Sequence, residues 1–224
     1  MTMVRTEAIV LRRTNYGEAD RILQLLTPLG RRSVIARGVR REKSKLAGGI
    51  ELFALSDVVI NDGKGDLGIL TAARLNRFYR HIIEDYDRLQ FGYEVIRVVT
   101  RASETVDEPE WFDVLQEVLE ALDNNAPLQL AQTWFYLRYA ELLGAGLSVS
   151  HDIMGGQLNS SQTYVYNEAE KGLRAHDRGH ISADHIKYLR VIAAKPLAVV
   201  SQIGGVDHIL PECWHIARQH AALE

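Results

Sequence analysis

The residues with the most evident chemistry are cationic. Between Arg31 and Lys45 the chain reads RRSVIARGVRREKSK, with Arg31, Arg32, Arg37, Arg40, Arg41, Lys43 and Lys45 against a single acid, Glu42. Ser33 to Ala36 have the small and β-branched character of a strand. After Gly38 no helical or strand period remains. A strand that runs out into a basic loop presents cations without burying them, and a polyanion is the natural partner of such a surface. A solvated face is the plain alternative for any charge run. Single-stranded nucleic acid is held by cationic grooves with stacking platforms. Arg12, Arg13, Arg21 and Arg74 add to the cations, and Tyr16 and Phe53 are the nearby aromatics. Phe53 sits in an apolar run and reads more readily as core.

Bond-making chemistry has little support. There is no Gly-rich loop followed by Lys-Ser/Thr and no dinucleotide fingerprint. Gly144-Ala145-Gly146 follows a helical pattern and reads as its C-cap. Cys213 is the one cysteine. It excludes an internal disulfide and a multi-cysteine metal site, and it reads as structural. His151, Asp152, His176 and His180 lie at the two ends of one irregular segment. They include no thiolate, on which structural zinc sites mostly rely. A nuclease would need clustered carboxylates holding a metal, and the basic region offers none. No apolar run is long enough to span a membrane. The N-terminus lacks a signal-peptide pattern, which makes the cytoplasm the expected compartment.

The elements that must position these residues fall into two groups. Residues 1–80 carry 15 Lys and Arg against 8 Asp and Glu, a net of +7; the remaining 11 basic and 21 acidic residues give −10. This contrast predicts a basic domain over 1–80 and an acidic one over 81–224. In the first, strands are predicted over 5–13, 20–27, 31–37, 51–60 and 67–75. Asn61 to Asp66 supplies the Asn, Asp and Gly of a hairpin turn. Five short strands with a basic loop after the third predict an antiparallel barrel of the oligonucleotide-binding (OB) type. In the second, Phe78, Ile82, Ile83, Tyr86, Leu89, Tyr93, Ile96 and Val99 predict the apolar face of one long helix to about Ser103. Further helices are predicted from Pro109 to Leu122, from Pro127 to Leu143, and from an N-cap at Ser182 to Lys195, with one or two more at the C-terminus. Residues 147–180 read as irregular, with a strand-like TYVYN. The predicted fold class is α+β, a barrel followed by an α-helical domain with an irregular insertion.

Three segments carry a family likeness: VRTEAIVLRRTNYGEADRILQLLTP, VIARGVRREKSKLAGGIELF and FYRHIIEDYDRLQFGYEVIRVV. They resemble RecO, the bacterial recombination-mediator and DNA-repair family, most specifically in ARGVRR, KS, L, G and ELF. The likeness is strong over about 1–105 and continues through LLGAGL and HIKYLRVI. It implies an N-terminal OB domain, a helical bundle and a short metal-binding insertion. It also implies binding of single- and double-stranded DNA, strand annealing without bond cleavage, and partnership with RecR. Together these load RecA onto DNA coated by single-strand-binding protein (SSB), at the bacterial nucleoid. A module for RNA, as in ribosome assembly, is the rival reading.

The chain departs from this family at one place. Many members carry C-x-x-C-G followed by G-G-L-x-C-x-x-C. Here the four ligand positions are Asp152, Gly155, Ala175 and Arg178. The zinc site is therefore expected to be lost, with no cofactor in its stead. The family's helical domain also receives the acidic tail of SSB. In an acidic half, the cations available for that tail are Arg97, Arg101, Arg138, Lys187, Arg190 and Lys195. Arg138, Lys187 and Arg190 are the preferred set, with Leu137, Tyr188 and Val191 as a slot for the tail's aromatic residue. Simple pairing of these cations with surrounding acids is the alternative.

Overall fold

The computed structural model describes residues 2–62 and 65–222, so Gly63 and Lys64 of the expected hairpin turn lie outside the described residues. The chain separates into two compact units that meet in sequence at Asp123 and Asn124. Compactness thus groups the first helices with the barrel, whereas charge divides the chain near residue 80.

The first unit is built on five strands: β1 (Met3–Tyr16), β2 (Asp20–Thr27), β3 (Gly30–Ala36), β4 (Ala54–Asn61) and β5 (Leu67–Phe78). They close into a barrel in the order β1-β2-β3-β5-β4. Closure removes the free edges that would otherwise invite pairing with other chains. The expected all-antiparallel barrel needs one correction. β3 and β5 pair in parallel through Ser33 with Leu67, Val34 with Gly68 and Ile35 with Ile69. The long basic connection between β3 and β4 carries the chain across the barrel before β4 and β5 form their hairpin, and this permits the parallel closure.

Period-two alternation fills the barrel. Val10, Leu23, Leu25, Val34, Ile60 and Leu70 meet in its core. A bulge between Val10 and Arg12 breaks the alternation on β1. The β2–β3 turn is closed by Thr27, whose hydroxyl donates to Gly30 O at 2.7 Å and accepts from Leu29 N at 3.1 Å. Gly30, at φ +88°, takes the left-handed conformation this turn requires. β4 starts at Ala54, three residues later than expected. Phe53 holds a left-handed φ of 55° there, and its carbonyl accepts from Tyr79 N at 2.9 Å.

Two helices, α1 (Arg80–Glu84) and α2 (Tyr86–Thr105), replace the expected single one. Asp85 separates them: it is extended, and its carboxylate caps α2 by accepting from Arg88 N at 3.0 Å. The buried face of these helices keeps Ile82, Ile96 and Val99 of the expected one and differs elsewhere. Phe91, Val95, Val98, Val99 and Ala102 are buried, whereas Ile83, Tyr86 and Tyr93 are exposed. α3 (Glu110–Asp123) completes the unit and packs on α1 and α2.

The second unit holds α4 (Leu128–Leu142), β6 (Tyr164–Asn167), β7 (Gly172–Ala175), α5 (Ala183–Ala194), α6 (Leu197–Val200) and α7 (Leu210–Ala221). Its centre is the packing of α4 against α7. The insertion contains an antiparallel hairpin, β6–β7, where only one strand-like piece was expected. Ser182 caps α5 in a reciprocal capping box with His185.

Candidate nucleic-acid interface

The basic loop is anchored at both ends and displayed between them. Val39 and Ile50 are buried and join the barrel core. Gly49, in a short 3-10 turn (Ala47–Gly49), lies against β5 so closely that a Cβ would come within 2.6 Å of the Ala73 backbone. The start of the loop is tied to the β1–β2 turn. Arg40 N donates to Ala19 O at 2.9 Å, the Arg40 guanidinium to Gly17 O at 3.3 Å, and Gly38 N to the Asp20 carboxylate at 2.7 Å. The cations are thus held at one end of the barrel by backbone contacts, with their heads in water.

The sequence-predicted site residues sort by partner. Arg37, Arg41, Lys43 and Lys45 are exposed on the loop, and their side chains have no partner among the described residues. Arg12, opposite Gln24 on the outer face of β1, is likewise exposed and unpartnered. Arg13 is held by Glu51 at 2.6 Å and Arg21 by the Asn15 amide oxygen at 3.2 Å. Tyr16 is exposed near the same turn. Phe53 is buried and cannot stack on a base.

Arg31 and Arg32 stand apart from the loop cations. They begin β3 and Arg37 follows its end, so about 20 Å of strand separates them. Arg31 pairs with Glu104 at 3.2 Å, and both arginines line a cleft of about 570 Å³ that also holds Asp62, Asp66 and Asp107. Arg74 is on β5, paired with Asp57 at 3.1 Å. It shares a cleft of about 620 Å³ with Arg5 and Lys45, floored by Val59, Ala72 and Ala73. A surface pair such as Arg74–Asp57 contributes little and is readily exchanged.

In the second unit the expected tail slot needs correcting. Leu137 and Tyr188 are buried in packed helices and cannot line an open slot. Arg138 pairs with Glu141 at 2.8 Å and lies over the Trp134 ring. Lys187 pairs with Asp184 at 3.0 Å, and Arg190 donates to Val149 O at 2.7 Å.

The insertion closes its turns without thiolates. The Asp152 carboxylate accepts from Met154 N and Gly156 N at 2.9 and 2.8 Å. His176 Nδ1 accepts from Arg178 N at 3.1 Å. His151 Nδ1 meets the Ser150 hydroxyl, and His180 Nε2 meets Glu212. Among the described residues no three His, Cys, Asp or Glu side chains are placed to hold a metal ion. Cys213 is buried, and burial pushes its thiol up to about 12. Among the described residues no helix is long and apolar enough to cross a membrane.

Fold and surface together define a barrel protein of the OB type, with a fixed basic loop at one end and a helical C-terminal half. The family model described as recombination protein O N terminal matches residues 1–79, and its C-terminal counterpart matches residues 83–221. The DNA repair protein RecO of Roseiflexus sp. (strain RS-1) is 30% identical over 207 residues, covering 89% of this chain and 73% of the relative. That of Nocardioides sp. is 33% identical over 175 residues, covering 76% and 71%. A relative from Dehalococcoides mccartyi (strain ATCC BAA-2266 / KCTC 15142 / 195) is 35% identical over 142 residues, covering 62% of this chain and only 56% of its own length. The chain belongs to the RecO family of bacterial DNA repair proteins.

Proposed function

We propose that this protein binds single- and double-stranded DNA at the basic end of the barrel and anneals complementary strands. With RecR, it would help load RecA onto SSB-coated single strands. Residues 1–80 would carry the loop DNA site, and the helical part, residues 81–224, would carry the site for the SSB tail. The observation that carries the reading is the group of unpartnered cations, Arg37, Arg41, Lys43 and Lys45, on a loop fixed to the barrel. Arg40 is on the same loop, tied to Gly17 O; Arg12, Arg13 and Arg21 lie on the strands beside it, and Arg74 shares a cleft with Lys45. Arg31 and Arg32 would contact only a strand long enough to run along β3. Binding without bond cleavage suits this surface, because Asp20 and Glu51 are already committed to Gly38 N and Arg13.

We also propose that the insertion is held without zinc and that no other cofactor is needed. Asp152 and His176 close its turns in place of the family's thiolates. Elemental analysis should find far less than one zinc per chain, and a chelator should leave the melting temperature unchanged. For the SSB tail we retain Arg138, Lys187 and Arg190, which would exchange their present partners for acidic side chains of the peptide. The direct test is annealing of complementary oligonucleotides with and without SSB, with an RNA strand as competitor. Acceleration on both naked and SSB-coated strands supports the proposal. Absence of annealing, or preference for RNA, rejects it.

A further inference from the structure

The solvent face of α2 carries a second surface of distinct chemistry. Tyr86, Tyr93, Arg97 and Arg101 are spaced by seven, four and four. At about 100° per residue they fall within an arc of roughly 80°. That arc lies opposite the buried face formed by Phe91, Val95, Val98 and Ala102. Tyr86 is 72% exposed and Tyr93 49%. Arg97 and Arg101 are exposed and have no partner among the described residues. Asp87 and Glu94 lie beside the arc; the one acid on it, Glu104, follows Arg101 by three residues and is paired with Arg31 at 3.2 Å.

The two rings are also positioned. Gln90 donates an amide N–H to the Tyr86 hydroxyl at 3.0 Å. Phe53 meets Tyr93 edge-on, with centroids 5.0 Å apart and planes at 68°. A glycine at position 92 makes room for this, because a Cβ there would come within 2.8 Å of the Phe53 ring. Phe53 is the last residue before β4, where the basic connection returns to the barrel. The supported face of α2 therefore adjoins the root of that connection.

We propose that this face of α2 is a stacking platform for single-stranded DNA, with bases on Tyr86 and Tyr93 and phosphates on Arg97 and Arg101. This rests on the reading that the chain binds DNA at the basic loop. Tyr86 and Tyr93 are about 10 Å apart along the helix, roughly three steps of a stacked strand at 3.4 Å each. The exposed faces of these rings offer every base a π-face without reading its sequence. A duplex hides its base faces. The platform therefore favours single strands, whereas the loop cations attract both forms through phosphate.

The experiment compares binding of a labelled oligothymidine and a labelled duplex. Tyr86→Ala with Tyr93→Ala should lower oligothymidine affinity about tenfold or more and leave duplex affinity unchanged. Tyr86→Phe with Tyr93→Phe should restore it, since the ring and not the hydroxyl does the stacking. Arg97→Glu with Arg101→Glu, at exposed positions, should weaken oligothymidine binding in a folded protein. Photocrosslinking with bromodeoxyuridine in the strand should label peptides containing Tyr86 or Tyr93. Unchanged oligothymidine binding by the alanine pair, an equal loss for duplex, or adducts confined to residues 37–45 would overturn the platform and leave the loop site standing. If the wild-type chain binds neither nucleic acid, the loop site falls as well.

Discussion

Asp123 shows how much one side chain can organise. It is buried at the end of α3, accepts from the Arg77 guanidinium at 3.0 Å, and takes His81 N at 3.0 Å on its other oxygen. Arg77 in turn lies over the Tyr79 ring at 5.2 Å. One carboxylate thus joins the end of β5, the start of α1 and the end of α3. Asp123→Ala removes the acceptor of the part-buried His81 N–H and the nearer of the two carboxylates facing Arg77, leaving Glu120 at 3.9 Å. It should cost about 2–3 kcal/mol, read as a lower urea midpoint in chemical unfolding. In the sequence Asp123 appears only as part of Asp-Asn-Asn ending a helix, because nothing local reports a partner more than forty residues away. Phe53 was more legible: its apolar neighbours place it in the core, where it lies. Its support of Tyr93 depends on a contact with α2 that no local pattern carries.

At the scale of elements, the barrel strands were readable because alternation and turn residues act over a few positions. The break at Asp85 was legible in principle, since an Asp directly before the apolar-periodic Tyr86 is an N-cap signal. The continuous spacing of apolar residues across it concealed the break. That same spacing counted Tyr86 and Tyr93 as core. Tyrosine satisfies an apolar pattern on either side of a helix, so only packing distinguishes the two faces. The hairpin β6–β7 was half seen because each of its strands is only four residues long.

What holds this insertion gives a pH prediction. His220 of α7 is buried and donates from Nε2 to Ala145 O, so its neutral ring accepts the Tyr166 hydroxyl at Nδ1, 3.0 Å away. Burial is the main cause lowering the His220 pKa below its ordinary 6.5, and Lys171 adds to it. Because the folded value is depressed, the unfolded chain takes up more protons between the two values. Its stabilising contribution is present above pH 6.5 and is lost as pH falls below it. The melting temperature should fall on acidification through that range. The fall should be smaller in His220→Gln, which does not titrate and is less stable at neutral pH.

For the whole molecule, a net charge of −3 conceals a basic barrel end and an acidic remainder, and the split was visible by counting along the chain. Closure of the barrel was legible only as a fold class. The separation of Arg31 and Arg32 from the loop cations was not, because it follows from which end of β3 each occupies. The central claim is that Arg37, Arg41, Lys43 and Lys45 meet phosphate. Each phosphate contact on a single strand adds roughly 0.7 to the slope of log K against log salt. Oligothymidine binding measured over a series of salt concentrations should therefore show a slope of about −3 or steeper. Reversing all four to Glu should flatten the slope and weaken binding for every sequence, with the melting temperature unchanged. A wild-type slope near zero, or one that survives the four reversals, would contradict the assignment of this loop as the DNA contact.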